Sequence, residues 1–135
     1  MRKQKEILTI AWAVIAVAII ALSGCAKDDT VVQGNSVLVT KTVSLSTDLV
    51  PLFTANCAIS GCHVKGGVAP DLEASTAYSQ LISMGLVSTN APANSVLYQY
   101  LMGVKTPAMP LNASANPGNI NGYVLAWVTQ GAANN

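Results

Sequence analysis

The chain has 135 residues, of which 10% are charged, and its formal net charge is +1. That length gives room for one domain. The lack of any basic patch excludes nucleic acid as an expected partner.

The first 24 residues read as a leader. Arg2, Lys3 and Lys5 form a basic start, and Ile7 to Leu22 is a 16-residue run without a charge. That run is short for a membrane span and fits the apolar region of a signal peptide. It ends in Leu22-Ser23-Gly24-Cys25, which resembles the lipobox of bacterial lipoproteins. The resemblance implies acylation of Cys25, which becomes the new N-terminus. The alternative is an uncleaved anchor, and both readings put residues 26–135 outside the cytoplasm. Without residues 1–24 the chain keeps four lysines against five acids, a net charge of −1. Lys27-Asp28-Asp29 resembles the tag that sends some lipoproteins to the cell surface. The expected location is the periplasmic side of the outer membrane or the cell surface.

Residues 25–46 are rich in Thr, Val, Ser and Asn, and Val37 to Leu45 alternates only weakly. They read as a flexible, lipid-anchored tether, and about 20 such residues span roughly 25 Å. Residues 47–135 read as one folded domain.

From Asp48 the pattern turns helical. Asp48 is the expected N-cap, Pro51 is the third helical residue, and Leu49, Leu52 and Phe53 share a face that leads to Cys57. A second helix is expected over Leu72 to Met84, stopped at Gly85. A third is expected over Asn94 to Met102, capped by Asn94 or Ser95 and closed by Gly103. Thr106-Pro107-Ala108-Met109-Pro110 cannot be helical, because it carries two prolines. The last helix has Asn116 as cap and Pro117 at its first position. Its apolar stripe is Ile120, Tyr123, Val124 and Trp127, and Gly131 stands where a terminating glycine is expected. No segment alternates well, so an all-α domain is expected.

Large side chains are scarce in residues 47–131: Phe53, Tyr78, Tyr98, Tyr100, Tyr123 and Trp127. A domain of this size is at the low end for building a sufficient core. A large apolar cofactor would fill the deficit.

Cys57-Ala-Ile-Ser-Gly-Cys62-His63 holds two of the three cysteines and the only histidine. The usual haem-attachment spacing is C-x-x-C-H, and here the spacer has four residues. Three readings stand. In the first, Cys57 and Cys62 form thioethers to haem and His63 binds its iron, with a methionine as the natural second ligand in the absence of another histidine. In the second, Cys57 and Cys62 form a disulfide in a non-redox surface lipoprotein that serves as a structural or binding module. Such a short loop adds little stability. In the third, the three side chains and a methionine hold copper or zinc, although the spacing makes a poor tetrahedral set. No Ser-His-Asp set, paired-carboxylate site or phosphate loop can be built, so no enzyme activity is expected of this chain alone.

Residues 47–131 resemble the mono-haem cytochrome c family. The resemblance is carried by "DLVPLFTANC" leading into "CAISGCH", then "GGVAPDL", then "TPAMP", then "INGYVLAWVTQGA". It implies a cytochrome c-like fold of about four helices wrapped around one covalent haem c. It implies Met109, 46 residues after His63, as the distal iron ligand. It implies Pro70 as acceptor, through its carbonyl, of the imidazole N–H of His63. It implies that Tyr123 and Trp127 pack across Leu52 and Phe53. The implied function is electron transfer to and from redox proteins: other cytochromes, oxidase or reductase subunits, or dehydrogenases. The four-residue spacer departs from most of the family.

Overall fold

The computed structural model describes residues 36–111 and 116–135. The leader, Cys25 and residues 26–35 lie outside the described residues. Among those described the chain is all-α, with four helices and no strand: α1 (Val50–Asn56), α2 (Ala77–Ser83), α3 (Val96–Leu101) and α4 (Ile120–Thr129). Short 3₁₀ turns at Pro92–Asn94 and Pro117–Asn119 lead into α3 and α4.

The first helical stretch starts earlier than Asp48. A π turn, Leu45–Leu49, precedes α1, and its cap is Ser44, whose hydroxyl accepts from the Thr47 N–H. Asp48 serves the same end from inside the turn: its carboxylate accepts from the Ser44 N–H at 2.9 Å and pairs with Lys41. Pro51 explains the wide turn. In a regular α-helix its ring would meet the carbonyl four residues back. Bonds that reach back five residues, Leu49 N–H to Ser44 and Val50 N–H to Leu45, open the turn ahead of it. Leu45 and Ser46 have free helix-start N–H groups, and Asn135 accepts both through its side-chain and main-chain oxygens.

Leu49, Phe53 and Cys57 recur at every fourth residue, and all are buried. Helix α4 supplies the facing stripe of Ile120, Val124, Trp127 and Val128, each at most 1% exposed. It packs on the π turn and on α3. Tyr123 is only half-buried, with the Lys41 ammonium 5.3 Å from its ring centre. Leu52 faces Gly118 in the turn before α4. The Trp127 indole N–H donates to the Ala133 carbonyl at 2.8 Å. Gly131 follows α4 with φ +100°, as a terminating glycine should.

Helix α2 is shorter than its apolar pattern. The Leu72 N–H goes to the His63 carbonyl and the Glu73 N–H to the Asp71 side chain, so this stretch ties down a loop instead of extending the helix. Helix α3 starts after Ser95, whose hydroxyl is committed to Ser88.

Residues 36–46 are not a free tether. Val43 and Leu45 are in the core, and the segment forms a strap along α4 held by two side-chain amides. Asn119 accepts from the Val37 N–H and donates to the Val37 carbonyl, both at 2.8 Å. Gln130 accepts from the Val43 N–H at 2.8 Å and donates to the Lys41 carbonyl at 2.9 Å. The folded unit therefore begins at least at Ser36, ahead of the boundary expected at residue 47.

Gly122 makes this close approach feasible. A Cβ there would lie 2.3 Å from the Val37 carbonyl oxygen and 2.6 Å from the Asn119 amide nitrogen. Gly122→Ala should therefore push the strap off α4 and lower stability by about 1–3 kcal/mol, as overpacking does. Urea unfolding checks this, with faster hydrogen exchange expected at Val37 and Val43.

Candidate functional site

Cys57, Cys62, His63 and Pro70 lie in one loop, residues 57–72, closed by its own main chain. It starts where α1 ends: the Cys57 and Ala58 N–H groups both go to the Phe53 carbonyl. The four-residue spacer is folded into a turn. The Cys62 N–H donates to the Ile59 carbonyl at 2.9 Å, and the His63 N–H donates to the Cys57 carbonyl at 3.1 Å. The wide spacing in sequence is thereby reduced to one hydrogen bond between the first cysteine and the histidine. The chain then doubles back, with the Val68 N–H on the Cys62 carbonyl at 2.8 Å. Gly67 permits that return, since a Cβ on it would sit 2.2 Å from the same carbonyl oxygen. Leu72, buried, anchors the far end through its bond to the His63 carbonyl.

The His63 imidazole is held from one side. Its Nδ1 lies 3.0 Å from the Pro70 carbonyl oxygen and 3.1 Å from that of Val68. Two carbonyl acceptors suit an N–H on Nδ1, and Nε2 is the ring nitrogen without a protein partner among these bonds. The carbonyls fix the ring orientation, as partners of metal-binding histidines do. Lys65 reaches the same region through its main-chain N–H, 3.3 Å from a Glu73 carboxylate oxygen.

Both thiols are free. Cys57 is buried in the core and Cys62 is half-exposed. Burial, with Cys62 as a lesser contributor, pushes the Cys57 thiol up from 9.0 to about 11. Between these values the unfolded chain loses the proton that the fold retains, so stability falls as pH rises. For protein with free thiols, the loss should reach about 2–3 kcal/mol by pH 11. Denaturant titrations at pH 8, 9.5 and 11 check it, and a chain whose Cys57 is a thioether should lack this component.

Met109 lies on a separate segment that folds back over the end of α3. The carbonyls of Gln99 and Tyr100 accept from Val104, Lys105 and Met109, the last at 2.9 Å. Gly103, with φ +71°, makes the turn between. The Met109 side chain is half-buried and packs on the same core that contains Cys57. Met102 is placed differently. Its sulfur accepts from the Asn121 amide at 3.2 Å and from the Ser36 hydroxyl at 3.6 Å. Met84 is 46% exposed beyond the end of α2.

Two features escaped the sequence reading. The Tyr98 hydroxyl is buried with no hydrogen-bond partner among the described residues, although Tyr98 itself reads simply as core. Ser36 and Asn121 form the seat of the Met102 sulfur from opposite ends of the chain, with no local signal of it. Among the described residues no three His, Cys, Asp or Glu side chains gather as a set that could hold a bare metal ion. No helix among them is long and apolar enough to cross a membrane.

No known protein family, curated protein or solved structure matches the chain.

Proposed function

We propose that the chain is an electron-transfer protein that carries one covalent c-type haem and is held at a membrane, outside the cytoplasm, by lipid on Cys25. The observation that carries this reading is the state of His63. Its Nδ1 is fixed by the carbonyls of Pro70 and Val68, in a loop that also holds two free thiols, one buried and one half-exposed. A solvated histidine has no need of such a cradle.

The residues fit haem. Cys57 and Cys62 would supply the thioethers and His63 Nε2 would bind the iron. Met109 would be the second ligand, because the Met102 sulfur already serves as acceptor for Asn121 and Ser36. The unpartnered Tyr98 hydroxyl marks a polar group in the core that awaits one. A cytochrome c-like wrapping by α1, α3, α4 and the Met109 segment is part of the proposal. Haem bound there supplies a one-electron ferric–ferrous couple.

The chain's own contribution is to hold the His63 ring and the Met109 main chain in place. The 57–72 loop fixes His63 from behind. The bonds to α3 fix the Met109 main chain. A neutral thioether ligand and an apolar surround favour the ferrous form. An iron held by both His63 and Met109 would have no place for substrate, which fits a carrier and not an enzyme. Partners are other redox proteins, met through small, transient contacts.

The test is a visible spectrum of protein made in a host with haem-attachment machinery, taken with and without reductant. A Soret band that shifts on reduction, with haem stain retained after denaturing electrophoresis, is the expected result. A colourless protein with a Cys57–Cys62 disulfide would overturn the reading.

A further inference from the structure

A groove of about 490 Å³ runs between the strap and α4, away from His63. Val37, Leu38 and Val39 form one wall, Leu125 and Ala126 the other, and Pro92 closes one side. No charged residue lines it. Val37 and Leu38 are 68% and 54% exposed, at the place where a strap built to hide its apolar residues would turn them in.

Four observations say what covers this face. The groove is uncharged and mostly apolar, so it offers nothing to a charged partner. Ser36, which lines it, is the first described residue, so the preceding chain enters at its edge. Only ten residues separate Ser36 from Cys25, a typical span of roughly 17–19 Å if flexible. The amide bonds from Asn119 fix the strap to α4 at the same point, so the groove stays at the edge where the chain leads off towards Cys25.

We infer that the face carrying this groove lies against the lipid bilayer in which Cys25 is anchored. The inference rests on the lipoprotein reading above and adds an orientation to it. Val37 and Leu38 enter the interfacial layer, where apolar side chains penetrate about 5–10 Å, and the neutral lining meets no repulsion from anionic headgroups.

The test uses the mature, haem-loaded lipoprotein in vesicles of phosphatidylethanolamine and phosphatidylglycerol, with plain or brominated acyl chains. Three variants are compared: Val37→Trp, Leu38→Trp, and Ile82→Trp on the exposed side of α2. Trp127 is buried and gives a constant background. The ratio of emission in brominated to plain lipid removes the effect of haem. Loss of emission for Val37→Trp and Leu38→Trp, with none for Ile82→Trp, is the expected result. If the protein floats with the vesicles but all three ratios stay at one, or all three fall alike, the orientation is overturned while the anchor stands. Unit ratios together with cross-linking between copies would assign the groove to a second copy instead. If the protein does not float at all, the anchor reading itself fails.

Discussion

Met109→Ala should leave haem attached and change what the iron does. In the proposed site the thioethers come from Cys57 and Cys62, so the pyridine haemochrome and the haem stain should be retained in full. The weak far-red iron–sulfur band of the ferric protein should disappear. The reduction potential should fall, by up to a few tenths of the roughly 0.8 V range that axial ligands command, because the thioether that favours the ferrous form is gone. Met102→Leu is the control. Its sulfur accepts from Asn121 and Ser36, so its loss should cost about 1 kcal/mol of stability and leave band and potential in place. If Met102→Leu abolishes the band and Met109→Ala does not, the ligand assignment is reversed. That result would require Asn121 and Ser36 to release a sulfur they hold in the structure.

The contrast between the two methionines also measures what the sequence could carry. Their surroundings differ in sequence, since Met102 closes a helix and Met109 stands in the two-proline TPAMP segment, but what engages the Met102 sulfur has no local signal. Its partners are 66 residues upstream and 19 downstream, so only the folded chain shows that this sulfur is already taken. The strap was illegible for the same reason. Its hydrogen bonds come from Asn119 and Gln130, more than 80 residues away, and its polar composition looks like linker. The end of α4 was legible because Gly131 acts through its own backbone freedom, and so was the apolar face from Leu49 to Cys57. The start of the first helix was misplaced by four residues, since Ser44 and Asp48 both bear capping groups and the π turn before Pro51 accommodates both. In the candidate site, the residue types were plain in the sequence. The way the spacer closes, with the Cys57 carbonyl on the His63 N–H, was not. It depends on Gly67 letting the chain pass against Cys62, which is a matter of space and not of pattern.

Trp127→Ala should be among the most damaging core substitutions. Trp127 is 1% exposed, and with Phe53 it is the largest fully buried side chain. Removing such a ring costs about 3–5 kcal/mol when the site cannot collapse. Collapse is hindered here, because Ile120, Val124 and Val128 are fixed on the same helix and Leu49 belongs to the wide turn that Pro51 imposes. The total stability of a domain this size is about 5–15 kcal/mol, so the variant should be near the limit of folding. Trp127→Phe separates the two contributions. It keeps most of the buried area but leaves the Ala133 carbonyl without its indole donor, and should cost about 1–2 kcal/mol. Urea unfolding followed by circular dichroism gives both values. The consequence reaches the candidate site through Phe53, whose carbonyl receives the Cys57 and Ala58 N–H groups. If the core slackens there, the 57–72 loop loses its fixed start. The potential of Trp127→Phe should therefore stay close to that of the parent, while Trp127→Ala, where it still folds, should show a broadened iron–sulfur band. A Trp127→Ala variant that loses less than about 1 kcal/mol, well below the core range, would mean that α4 does not close this core.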